Sequence, residues 1–146
     1  MKKTLFTLVS LMALSLQGQC YKVDSVTSVA KVSQIASRPV TFGATVTLEQ
    51  LVADRFSLCD SGELITVVVN SVDMPEQLIN IIGLQFLQRD YIVTLSVKVK
   101  DRLYVVTSKK RIYVNAMFLT VEQIPHNKKA YSKALEKALK LVVDKI

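Results

Sequence analysis

The stretch Tyr91-Ile-Val-Thr-Leu-Ser-Val-Lys-Val-Lys100 decides the fold. Val93, Leu95, Val97 and Val99 alternate with Thr94, Ser96, Lys98 and Lys100, the period of two of a strand with one face in a core and one in water. Strands covered on one face only are typical of antiparallel sheets. Toward the C-terminus, Asp101-Arg102 reads as a tight hairpin turn. Leu103 to Thr107 and Arg111 to Phe118 continue as strands, with Ser108-Lys109-Lys110 between them as turn or bulge. Pro125 stops the sheet and Asn127 is placed to cap a helix. Ala130, Tyr131, Ala134, Leu135, Ala138, Leu139, Val142 and Ile146 then form one apolar stripe at helical spacing, which needs a sheet to lie on.

Toward the N-terminus, Leu64 to Val69 is β-branched and nearly all apolar, and reads as a strand buried on both faces that ends at Asp73-Met74-Pro75. Ile79 to Leu87 is apolar without a clean period and fits a short helix running into a strand. In residues 47–57, Thr47 and Gln50 match a capping box, and Leu48, Leu51, Val52 and Phe56 share one helical face. A strand from Val40 to Leu48 is the competing reading there. Tyr21 to Val32 alternates loosely and reads as extended. The elements add up to an α+β fold: a mostly antiparallel sheet of four or five strands, with one short and one long C-terminal helix packed on one face. Residues 20–146 form one domain.

The first residues read as an address. Met1-Lys2-Lys3 is a positive n-region, Thr4 to Leu16 an apolar h-region too short to span a bilayer, and Gln17-Gly18-Gln19 a polar close. Residues 1–19 are therefore expected to be a secretory signal peptide; a buried N-terminal helix is the alternative. No later run is long and apolar enough to predict a transmembrane helix. Cys20 sits where a bacterial lipoprotein carries its lipidated cysteine, although Gln17 and Gln19 replace the usual Leu and small residue. Ordinary cleavage after Gly18 or Gln19 competes with lipidation. An oxidising compartment would allow Cys20 to bond Cys59, while Cys59 alone reads as a buried free thiol acting as a small hydrophobe.

The formal charge of +7 is unevenly spread. Residues 20–97 carry 5 basic and 8 acidic side chains, and residues 98–146 carry 12 and 4. A segregated basic half suggests an anionic membrane surface or an envelope protein as partner, ahead of nucleic acid, which export disfavours. The candidate residues are Lys98, Lys100, Arg102, Lys109, Lys110, Arg111, Lys133 and Lys137. Their bland alternative is a solvated face that protects a sheet edge. Catalytic constellations are not visible. The four glycines are isolated, two cysteines cannot build a zinc ribbon, and the single His126 reads as a solvated linker residue. No catalytic residue, metal ligand or cofactor is predicted.

The order of a signal ending at Cys20, extended segment, helix, apolar strand, alternating strands and terminal amphipathic helix resembles small envelope lipoproteins of Gram-negative bacteria. These include the auxiliary lipoproteins of ABC-type transport systems and related periplasmic α+β domains. Tyr91 to Lys100 and Lys133-Ala-Leu-Glu-Lys-Ala-Leu139 carry the resemblance. It implies an accessory role in envelope assembly or transport, in the periplasm or at the outer membrane, with no catalytic residues to carry over. The expectation is a non-enzymatic exported envelope protein. The alternative is a small secreted enzyme or enzyme inhibitor whose site the sequence does not display.

Overall fold

The computed structural model describes residues 19–28, 34–35, 38–39 and 48–146. The expected signal peptide apart from Gln19, the Thr47 cap, and the Val40–Leu48 strand reading apart from Leu48 lie outside them. The chain runs β1 (Tyr21–Ser28), β2 (Gln34–Ile35), β3 (Arg38–Pro39), α1 (Leu48–Arg55), β4 (Glu63–Asp73), β5 (Glu76–Ile81), β6 (Leu84–Val99), β7 (Arg102–Asn115), a 3-10 turn (Val121–Gln123) and α2 (Lys128–Val143). Strands β1, β4, β5, β6 and β7 make one sheet, and β2 pairs with β3. The sheet is mostly antiparallel, with two helices beside it, as the alternating strands predict. The exception is β1, which lies parallel to β4, with Tyr21 opposite Glu63 and Ser28 opposite Val69.

β4 and β5 are one long strand in two pieces. Asp73 faces Ile92 and Glu76 faces Arg89, so both pieces keep one register on the same edge of β6. Pro75 has no N–H to give the ladder and interrupts it; its carbonyl still accepts the Asp90 N–H at 3.1 Å. The segment read as helix into strand is thus a hairpin, turning at Ile82 (φ 49°) and Gly83 (φ 75°). Two positive-φ residues give the mirror-image turn that matches strand twist. Periodicity fails here because the turn divides an almost uniformly apolar run. The β6–β7 turn falls at Lys100-Asp101, one residue before the predicted position, with Lys100 at φ 51°. β7 runs unbroken through Ser108-Lys109-Lys110, where a turn or bulge was expected.

Ile82 is a β-branched residue in the left-handed region and is 98% exposed. Its conformation costs about 1–2 kcal/mol and no packing offsets it. Ile82→Asn should therefore raise stability by about 1 kcal/mol, read as a higher denaturant midpoint at unchanged slope. An unchanged or lower midpoint would contradict the strained turn.

One face of the sheet is covered. Ile65, Val67, Val69, Tyr91, Val93, Leu95, Val97 and Val106 meet Ala134, Leu135, Ala138, Leu139 and Val142 of α2 in one core, with Leu51, Val52 and Phe56 from α1 and the residue after it. The predicted stripe of α2 is buried up to Val142, and Asn127 Oδ1 accepts the Ala130 N–H at 2.9 Å, which caps the helix. Leu64 is 56% exposed, so β4 alternates rather than being buried on both faces. The opposite face is a polar ladder: Asn70 bonds Ser96, Thr94 lies 3.1 Å from Thr107, and Thr66 donates to Asp24 at 3.2 Å.

Cys20 and Cys59 form a disulfide, with Cα atoms 5.8 Å apart. This corrects the expectation of a free Cys59. The sulfur of Cys20 is the atom that lipidation would use, so the bonded form and a thioether-linked lipid exclude one another. Around the bond, Tyr21 donates to the Ser57 carbonyl and Cys59 to the Tyr21 carbonyl, both at 2.8 Å. A Cβ on Gly62 would stand 2.5 Å from the Cys20 carbonyl oxygen, so only glycine fits this close approach.

Candidate functional site

The eight candidate basic residues fall in three places. Lys98, Lys100 and Arg102 gather at the β6–β7 turn, where Lys100 pairs with Glu63. Beside them a cleft of about 260 Å³ is lined by Glu63, Lys100, Asp101, Arg102, Tyr104 and Ile146. Lys109, Lys110 and Arg111 lie midway along β7, opposite Ile92, Tyr91 and Asp90. Lys133 and Lys137 stand exposed on α2, whose other side is packed on the sheet. Lys98, Lys109 and Arg111 point away from the helix layer, because their strand partners or neighbours in register alternate with the buried set. The sheet and α2 therefore separate them from Lys133 and Lys137. No single flat surface can engage all eight.

The middle of the sheet holds a charged network that sequence reading missed. Among the described residues, Arg89 is the largest fully buried side chain, at 1% exposure. Its Nε donates to Glu76, its Nη1 to the Pro125 carbonyl at 2.8 Å and its Nη2 to the Ile124 carbonyl at 3.2 Å. The guanidinium thus ties the segment before α2 to the sheet, and each of its three nitrogens donates to an acceptor. Tyr91 reinforces the tie, its hydroxyl accepting the Asn127 N–H at 2.7 Å. On the other face, Asp90 takes two bonds from Arg111, at 2.7 and 3.0 Å, and one from Lys109. The Arg111 bonds are the main cause holding its carboxyl below the usual range; burial opposes them and Lys109 assists. Asp90 in turn raises the pKa of Arg111. The only sequence signal for this network is that Glu76 and Arg89 bracket a run, Gln77 to Gln88, without a single charge.

His126 is not a solvated linker residue. It is half-buried, and burial first, then the Arg89 charge, lowers its pKa, with Glu76 opposing. It lines a cleft of about 390 Å³ with Ile112, Val114, Ile124, Pro125 and Lys128. Among the described residues, no group of three His, Cys, Asp or Glu is placed to hold a metal ion. No helix among them is long and apolar enough to cross a membrane.

Beyond the network, β5, the start of β6 and the end of β7 extend as an uncharged arm. Its exposed apolar residues include Leu78, Ile81, Ile82, Leu84 and, on the adjoining turn, Phe118 at 91% exposure. The Ala116 N–H bonds the Gln85 carbonyl at 2.9 Å, which sets that turn beside the arm. A small core of Leu87, Ala116 and Ile124, with Val114 and Val121 against it, supports one face of the arm.

These features define a two-layer α+β domain whose distinctive chemistry lies on its surfaces. No family model and no curated protein matches the chain. Seven chains of known structure match it. One is a minor lipoprotein from Acinetobacter baumannii, 14% identical, with 88% of this chain and 89% of that chain covered at a TM-score of 0.40. At that level the likeness carries no argument about function.

Proposed function

We propose that this chain is an exported, non-enzymatic binding component of the bacterial cell envelope. The observation that carries the reading is the Cys20–Cys59 disulfide, which begins where the signal-like segment ends. Disulfides persist in oxidising compartments such as the periplasm and are rare in the cytosol. The bond therefore agrees with the leader, two features of independent origin. Binding is assigned to the surface because the buried polar pair at the centre of the sheet, Arg89 and Glu76, is engaged in holding the fold together. The contact proposed for an anionic envelope surface narrows to the sheet face turned away from α2, which carries Lys98, Lys109 and Arg111, with Asp90 offsetting one of their charges. The net two charges of that face contribute on the order of 1 kcal/mol each near an anionic membrane.

Intact-mass measurement of the native protein tests export. The expected mass is that of a chain beginning at Gln19 or Cys20 and two hydrogen atoms lighter than the dithiol. A mass that keeps Met1 to Gly18, or two free thiols, overturns the reading. Co-sedimentation with anionic and neutral vesicles tests the contact. Salt-sensitive binding to anionic vesicles, weakened when Lys98 and Lys109 are both changed to Gln, is the expected result. Equal binding to both vesicle types, or none at low salt, removes the anionic partner.

A further inference from the structure

The two outer strands flanking β6 are treated differently. β7 carries Arg102, Lys109, Lys110 and Arg111 along a length whose far edge pairs with no other described strand. Basic side chains on an edge discourage a further strand from adding there. The far edge of β5 also pairs with no described strand, yet it has no charge after Glu76. Its residues Gln77-Leu-Ile-Asn-Ile81 are apolar or amide, and Leu78 and Ile81 are 48% and 45% exposed. The two-residue turn makes Ile81 and Leu84 a hydrogen-bonded pair, so the backbone groups of Leu78 and Asn80 point away from β6. This is an open, unguarded edge.

We infer that the β5 edge pairs antiparallel with the same edge of a second copy of this chain, joining two sheets across a two-fold axis near Ile79. Charge selects the occupant. Residues 20–146 carry 17 basic and 12 acidic side chains, so two copies repel wherever their charged bodies meet. The run from Gln77 to Gln88 has no charge to repel itself. Antiparallel pairing also sets the two bodies at opposite ends of the joined arms. Six residues of strand span about 20 Å, beyond the screening length of about 8 Å at physiological salt. Backbone selects against lipid. A bilayer cannot satisfy the outward N–H and C=O groups of Leu78 and Asn80, and a strand can. Pairing Leu78 with Asn80 of the second copy, and the reverse, satisfies these groups and brings the two Ile79 side chains together on the other face. Such a two-fold contact is isologous and closes at the dimer. The inference is independent of the proposed export and of the anionic contact.

Sedimentation-velocity measurements on the oxidised protein, from about 1 to 200 µM, test it. The expected result is a concentration-dependent monomer–dimer equilibrium. Asn80→Lys, which puts two ammonium groups across the axis, should weaken it about tenfold or more. Ile82→Ser and Phe118→Ser should leave it within about twofold, because Phe118 lies on the β7 side of the arm. Equal thermal midpoints for wild type and Asn80→Lys show that the variant is folded; should it unfold, Leu78→Lys replaces it. A monomer at every concentration overturns the inference, as does a dimer indifferent to both lysine variants. A monomer that binds neutral vesicles, and loses that binding with Ile82→Ser or Phe118→Ser, assigns the arm to lipid instead.

Discussion

Arg89→Met should lower the free energy of unfolding by about 3–5 kcal/mol, the cost of removing one partner of a buried ion pair. Arg89 is 1% exposed and the Glu76 side chain 12%. Without the guanidinium, Glu76 keeps a carboxylate in a poorly solvated place, and the Ile124 and Pro125 carbonyls lose their donor. Each loss adds a desolvation penalty that methionine, of similar volume, cannot repay with hydrogen bonds. The double variant Arg89→Met, Glu76→Leu should recover part of the loss, because the unpaired charge is gone while the two carbonyls remain unserved. Urea titrations of wild type, both single variants and the double variant supply the full cycle. A loss under about 1 kcal/mol for Arg89→Met would mean that water reaches the site and that the tie between β6 and the segment before α2 is weak.

Leu139→Ala should cost about 3–5 kcal/mol, in the upper part of the range for buried leucine. Leu139 is 0% exposed, and its α2 neighbours on the stripe include Ala138 and Leu135, both buried. A long helix seated on a twisted sheet cannot easily close such a void, because moving α2 would also disturb the Ser108 hydroxyl bonded to the Ala134 carbonyl. For a domain of this size that loss is a large share of total stability. The check is the denaturant midpoint, with Lys137→Ala as an exposed comparison expected to change stability by less than about 0.5 kcal/mol. Similar effects from both variants would contradict the packing of α2.

Much of the fold was legible because two elements report their surroundings directly. Tyr91 to Lys100 alternates since one face meets α2 and the other meets solvent, and the α2 stripe has the helical period for the same reason. Legibility failed where the pattern has no contrast. Gln77 to Gln88 is uncharged on both faces, so nothing in its period marks the turn at Ile82-Gly83. Pro75 looks like a terminator, yet a proline can sit within a strand whose neighbour supplies the remaining hydrogen bond. The parallel placement of β1 could not be read, because direction depends on a long connection and not on local residues. The candidate basic residues were legible as a composition but not as a surface. Strand parity sends Lys109 and Arg111 to one face, and helical phase sends Lys133 and Lys137 to the other side of the molecule. Arg89 escaped notice because a lone arginine in an amide-rich strand resembles any solvated residue until the carbonyls that receive it are placed.

Strand β1 is expected to arrive after the strands it joins. β4 through β7 are joined by neighbours in sequence and can zip as successive hairpins, whereas β1 must find β4 across the whole intervening connection. Long-range pairings of this kind close slowly. Until β1 docks, the β4 edge exposes Leu64-Ile-Thr-Val-Val-Val69, a β-branched, uncharged segment of the sort that templates aggregation. The Cys20–Cys59 bond holds β1 at the very start of that edge, where Tyr21 faces Glu63. A cell that makes this protein without an oxidant is therefore expected to lose it to insoluble material while the hairpins themselves remain able to form.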